Sequence, residues 1–196
     1  MKKQETLRPG SGQAETTRQF VVLDRDGVVI EDQDHLTDPA GVVLIHGAAR
    51  AIRKMRDLGF GLVVVTNQSV IGRGWLDQAG LGRIHGRMTD LLKQDGAHLD
   101  GIFVCPHTAD DSCTCRKPAI GLMEQAARAH QFDPRESFVV GDKTSDIEFG
   151  KRAGATTILV RSGYGREVEA EGKHGADYVA DDLPAAVAII SRHGNA

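Results

Sequence analysis

No apolar run in this chain of 196 residues approaches the roughly 20 residues needed to cross a bilayer, so a membrane-spanning helix is not expected. An excess of positive charge is also missing. Its 24 Lys and Arg against 27 Asp and Glu leave a formal net charge of −3, which disfavours general attachment to nucleic acid or to an anionic membrane surface. The first 18 residues contain no apolar stretch that could serve as a secretion signal. Their Gly, Ser, Thr and Gln content offers nothing to bury, so residues 1–18 read as a disordered leader and the protein as cytoplasmic. Internal repeats are absent. Cysteine is scarce too: three residues, Cys105, Cys113 and Cys115, sit within one short segment beside His107. An odd, clustered set in a chain without a signal fits metal binding in a reducing compartment better than disulfides.

What is present is an ordinary globular composition, 40% hydrophobic and 26% charged. Residues 19–194 suffice for one domain with a real core. Apolar runs at Phe20–Leu23, Leu62–Val65, Ile102–Val104, Phe138–Val140, Thr156–Val160 and Tyr178–Val179 read as strands. Helical spacing fills the intervals: Ala48–Leu58, Asp77–Gln94, Ile120–His130, Ser145–Ala153 and Leu183–Ser191. Gly59 and Gly154 are well placed to end two of these helices. Continuously apolar strands alternating with helices predict a doubly wound, three-layer α/β fold with a parallel sheet, and no segment is left over for a large cap domain.

Polar residues follow the strands in a consistent way. Asp24 and Asp26 come after the first, with Gly27 to turn the chain; Thr66, Asn67, Gln68 and Ser69 end the second; Gly141, Asp142, Lys143 and Asp146 follow the fourth. Arg116 and Lys117 precede the third helix. In an open parallel sheet such groups converge on one crevice at the carboxyl edge. Each has a bland alternative as a cap, turn residue or solvated cation, but their recurrence at corresponding strand ends favours a site. Asp24, Asp26 and Asp142 together suit Mg2+, a hard cation that takes oxygen ligands. The hydroxyl and amides around Thr66, with Lys117, can hold the charge of a phosphoryl group. One carboxylate can act as nucleophile, and another two residues on as acid and then base.

Asp24-Arg-Asp26-Gly27, Thr66-Asn67, Lys117 and Gly141-Asp142-Lys143-x-x-Asp146 resemble, in order, the four motifs of the haloacid dehalogenase superfamily of phosphatases. The resemblance implies Asp24 as nucleophile, Asp26 as general acid and base, and Thr66 and Lys117 as the groups that position the phosphoryl. It also implies Mg2+ on the Asp24 carboxylate, the Asp26 backbone carbonyl and Asp142, with Asp146 in support. Val28 stands where the superfamily usually has threonine, which removes a hydroxyl but no catalytic group.

Cys105-Pro-His107 and Cys113-Thr-Cys115 offer three thiolates and one imidazole, a complete tetrahedral set for a structural Zn2+ in a loop spanning residues 105–115. Within the superfamily, this loop running into Arg116-Lys117-Pro118 resembles two groups, phosphatases of heptose bisphosphate and phosphatases of histidinol phosphate. Thr66-Asn-Gln-Ser-Val-Ile-Gly-Arg73-Gly74 and Gly141-Asp-Lys143 are closer to the first; the short spacing between His107 and Cys113 is shared with the second. His35-Leu36 departs from the Tyr-Val usual in the heptose group. By position, Asp32, Gln33, Asp34, His35, Thr66, Asn67, Gln68, Ser69, Arg116, Lys117 and Lys143 would touch the substrate. A phosphorylated sugar is therefore the expected partner, handled by a monomer, with histidinol phosphate or a catalytically inactive zinc-stabilised binding module as alternatives.

Overall fold

A computed structural model describes residues 18–194. The leader expected over residues 1–18 lies outside them except for Arg18, whose guanidinium donates to the carbonyls of Gly59 and Phe60. Six strands form one sheet: β1 (Phe20–Leu23), β2 (Gly61–Asn67), β3 (Gly101–Cys105), β4 (Phe138–Gly141), β5 (Thr156–Val160) and β6 (Tyr178–Ala180). Their spatial order is β3-β2-β1-β4-β5-β6, and every neighbouring pair is parallel. The connection direction reverses between β1 and β4, the switch point where an open α/β sheet leaves a crevice beyond its carboxyl edge.

Alternate residues of each strand enter different cores. Val21, Leu23, Leu62, Val64 and Val140 pack with Ile52 and Met55 of α1 (Ala48–Asp57), Ile84, Met88 and Leu92 of α3 (Gln78–Gln94), and Leu183 and Ile190 of α7 (Leu183–His193). Phe20, Val22, Val63, Val65 and Val139 face the other way, onto Leu122 and Met123 of α4 (Gly121–His130) and Phe149 of α5 (Thr144–Ala153). A strand buried on both sides has no reason to alternate with polar residues, which is why these runs are apolar throughout. Val28, where a threonine was the superfamily's usual residue, is fully buried in the first core.

Two short helices go beyond the sequence expectation, α2 (Ser69–Gly72) and α6 (Gly165–Ala170). Both follow strand ends at the crevice.

Candidate active site

Asp24 leaves the end of β1 tied to β4 by its N–H to the Val140 carbonyl, at 2.9 Å. The chain then folds back: the Arg25 carbonyl accepts from Val29 and Ile30, and Gly27 takes a φ of 81°. That conformation, and the space, both require glycine. A Cβ at Gly27 would lie 2.2 Å from Asp142 Oδ2, and one at Gly163 (φ 55°) would lie equally close to the same oxygen. Two glycines thus admit the Asp142 carboxylate between the β1 and β5 loops.

Three acids meet here. Asp24, Asp142 and Asp146, all buried, place carboxylate oxygens within 4.8 Å of one another. Lys117 Nζ is the cation set against them, 2.7 Å from Asp24 Oδ1, 2.6 Å from Asp146 Oδ1 and 2.8 Å from the Val65 carbonyl. Burial works against its charge, but Asp146 and Asp24 outweigh burial and hold the ammonium above the usual lysine range. Asp142 lacks a lysine of its own. Its Oδ2 accepts from the Tyr164 backbone N–H, while its buried Oδ1 has no hydrogen-bond partner. Burial, then repulsion from Asp24 and Asp146, pushes its carboxyl up to about 8. An orphaned buried oxygen facing two further carboxylates is what a site shaped for a divalent cation presents in the ion's absence, so the donor set fits Mg2+. Asp146 also serves the fold: its Oδ2 accepts from Lys143 N at the start of α5, and burial raises its proton affinity.

The Asp26 carboxylate stands apart from this trio. Arg25 Nε and Nη2 grip both of its oxygens, at 2.7–3.1 Å, and Gln68 Nε2 donates to Oδ2 at 2.8 Å. Gln68 Nε2 also donates to Thr66 Oγ1, and its carbonyl accepts from Arg25. Asn67 braces the Lys117 loop, accepting from Lys117 N and donating to Lys117 O. Gln68 and Asn67, expected as substrate contacts, therefore spend much of their hydrogen-bonding capacity within the protein.

The crevice has a volume of about 190 Å³. Asp32, Asp34, His35, Thr66, Asn67, Gln68, Ser69, Arg116, Lys117 and Lys143 line it together with Asp24 and Asp26. Gln33 does not; its amide turns away to donate to the Gly41 carbonyl. Lys143 is paired with Asp32 at 2.7 Å and sits over the Tyr164 ring, whose hydroxyl donates to Asp34. Arg116 Nη1 donates to the His107 carbonyl, which couples this cation to the cysteine loop. Arg73 lies instead over the Trp75 ring.

Sequence reasoning missed Arg25, Tyr164 and His85. His85 approaches from α3 behind Asp26, its Nε2 3.3 Å from Arg25 Nη1. Burial, then the charge of Arg25, lowers its pKa to about 4. The signal was slight for all three: only the arginine between two site acids was visible in the chain.

Cys105, His107, Cys113 and Cys115 form the second cluster. Sulfur–sulfur distances of 3.3–3.8 Å and His107 Nδ1 at 3.2 and 3.5 Å from two sulfurs are near the ~3.8 Å edge of a tetrahedron with ~2.3 Å metal–sulfur bonds. Burial, and hydrogen bonding from the other two cysteines, push the Cys105 thiol up to about 12.

A HAD-hydrolase-like family model matches residues 114–186. The D-glycero-beta-D-manno-heptose-1,7-bisphosphate 7-phosphatase of Bordetella bronchiseptica is 38% identical over 154 residues, 78% of this chain and 86% of that one. A D-glycero-D-manno-heptose-1,7-bisphosphate 7-phosphatase of Thermosynechococcus vestitus is 36% identical over 190 residues, covering 90% of this chain and 97% of its own. Among solved structures, D,D-heptose 1,7-bisphosphate phosphatase from B. bronchiseptica, complexed with magnesium and phosphate, superposes with a TM-score of 0.83 at 36% identity, over 89% of this chain and 98% of that chain.

Proposed function

The chain belongs to the HAD-like hydrolases, in the family of the heptose-1,7-bisphosphate 7-phosphatases, and from that membership we propose that it hydrolyses the 7-phosphate of D-glycero-D-manno-heptose 1,7-bisphosphate, a step towards activated heptose for cell-surface glycans. The observation that carries the mechanism is the lysine-braced Asp24 beside the unpartnered Asp142 Oδ1.

In this reading Asp24 attacks the phosphorus and the sugar oxygen departs, leaving an aspartyl-phosphate. Asp26 gives a proton to that oxygen and then takes one from the water that cleaves the acyl-phosphate. Lys117 holds one Asp24 oxygen, so the other is aimed at the substrate, and Thr66 supports the phosphoryl group. Asp24, the Asp26 carbonyl and Asp142 would hold Mg2+, with Asp146 in support; bound there, the ion offsets negative charge on the phosphoryl oxygens. Arg116 and Lys143 supply cations for the phosphate that stays, and Asp32, Asp34 and His35 are within reach of sugar hydroxyls at the same crevice. Cys105, His107, Cys113 and Cys115 bind one structural Zn2+, all four positions being filled by protein, which fixes the loop leading to Arg116 and Lys117.

A monomer of one domain, residues 19–194, working in the cytoplasm completes the reading. Thiolate ligands need a reducing setting, and no described helix is long and apolar enough to cross a membrane. The test is phosphate release with Mg2+ from both anomers of the heptose bisphosphate, fructose 1,6-bisphosphate and histidinol phosphate. A clear preference for a heptose anomer is expected; preference for histidinol phosphate would overturn the substrate assignment.

A further inference from the structure

The largest fully buried side chain among the described residues is a charged one, Arg25, at 1% exposure. Taking a guanidinium out of water is costly unless its donors are used, and here four of the five are. Nε and one Nη2 hydrogen go to Asp26, the other Nη2 hydrogen to Gln68 Oε1, and Nη1 to His85 Nε2. Nothing in the phosphoryl-transfer chemistry consumes Arg25 or His85. Their placement behind the Asp26 carboxylate, on the side away from the crevice, assigns them another task.

We propose that Arg25 and His85 are positioning residues for proton transfer: His85 fixes the Arg25 guanidinium, and Arg25 fixes where the Asp26 carboxylate points. The inference rests on Asp26 being the acid and base of the proposed function. An arginine can only donate, so the ring nitrogen facing it must accept, and His85 is the neutral tautomer with its hydrogen on Nδ1. The Arg25 fork has one geometry that meets both Asp26 oxygens, and the His85 contact selects it. Gln68 ties the same carboxylate to Thr66, so the proton-transfer group and the phosphoryl-binding hydroxyl share one frame. Half-buried His85 projects from α3, a helix anchored in the core by Ile84, Met88 and Leu92, which makes the frame rigid.

The test uses the dependence on the leaving group. A sugar alkoxide needs a proton as it departs, whereas p-nitrophenolate does not, so a fault in proton delivery lowers kcat/KM for the sugar ester and spares the aryl ester. Wild type, Asp26→Asn, Arg25→Met, His85→Leu and His85→Gln are compared on the heptose bisphosphate and on p-nitrophenyl phosphate, all with Mg2+. Asp26→Asn is the control: its kcat/KM, which reports the steps up to the aspartyl-phosphate, should fall ~10²–10⁴-fold further on the sugar ester than on the aryl ester, while turnover of both slows at the shared hydrolysis of that intermediate. His85→Leu and Arg25→Met should lose ~10- to 100-fold in kcat/KM on the sugar ester, with kcat/KM on the aryl ester little changed. His85→Gln, whose amide oxygen can accept from Arg25, should recover most of the loss. Equal losses on both esters in the Arg25 and His85 variants, or no rescue by glutamine, would overturn the positioning role while leaving Asp26 intact. A control without discrimination would overturn the assignment of Asp26 itself. If Arg25→Met does not fold, the His85 pair decides the matter alone.

Discussion

Lys117 Nζ and Asp24 Oδ1 are 2.7 Å apart although 93 residues separate them in the chain. The contact joins the end of β1 to the loop after β3, and the same buried ammonium also meets Asp146, at 2.6 Å. Removing the ammonium leaves Asp24 and Asp146 facing Asp142 without compensation. Lys117→Met should therefore destabilise the metal-free protein by about 3–5 kcal/mol, as breaking a buried ion pair does. Added Mg2+ should restore part of that stability but no turnover. Urea unfolding with and without Mg2+ measures both effects, and an unchanged midpoint would remove Lys117 from its bracing role.

Asp24→Asn should keep the fold and abolish turnover, because an amide cannot form the acyl-phosphate. Mass spectrometry of rapidly quenched wild-type enzyme should show a phosphorylated chain that the variant lacks. Turnover near the wild-type rate in Asp24→Asn would end the covalent mechanism.

Most of the frame is legible in the chain because it rests on local rules. Six apolar runs gave the strands, helical spacing gave the five long helices, and polar residues at strand ends marked the crevice. What escaped depends on distant partners. The helices α2 and α6, of four and six residues, are too short to show a period, and crowding shapes the start of α6: a Cβ on Gly165 would fall 1.7 Å from the Val160 carbonyl oxygen. Gln33 sits among crevice residues in sequence yet is drawn off by the Gly41 carbonyl. His85 becomes part of the site only because α3 packs beside the β1 turn, a fact of tertiary structure that no spacing announces.

The four-residue sulfur and imidazole cluster predicts about one zinc per purified chain. Cys113→Ser should lower zinc content and stability together. A loss of about 2 kcal/mol would move the thermal midpoint down by roughly 4–8 °C in a chain of this size. Metal analysis and a thermal melt on the same preparation check this; a zinc-free protein with full stability would rule the site out.

Arg116 has two duties to separate, because it lines the crevice and also donates to the His107 carbonyl. If its charge grips the phosphate that stays, Arg116→Ala should weaken kcat/KM for the bisphosphate about 10- to 100-fold more than for a simple monophosphate ester, the value of one charge-assisted contact. Equal losses on the two substrates, with unchanged zinc content, would place Arg116 on the transferring phosphoryl group instead.

His85 gives the fold a predictable acid sensitivity. Its pKa is lowered from 6.5 to about 4, by burial first and by Arg25 second. A depressed pKa means that the unfolded chain binds this proton more readily, so the stability is fully present above pH 6.5 and is lost as pH falls towards 4. The loss at the lower limit is on the order of 2–3 kcal/mol for a shift of this size in a largely buried ring. His85→Gln keeps an acceptor for Arg25 but has no proton to take up. Its urea midpoint should therefore fall less than that of the wild type between pH 7 and pH 4.5, while the two proteins stay close at pH 7. Carboxylates elsewhere titrate in both proteins and cancel in the comparison. Parallel pH profiles for the two would mean that His85 charges freely in the folded state, and that the Arg25 contact does not hold the ring neutral.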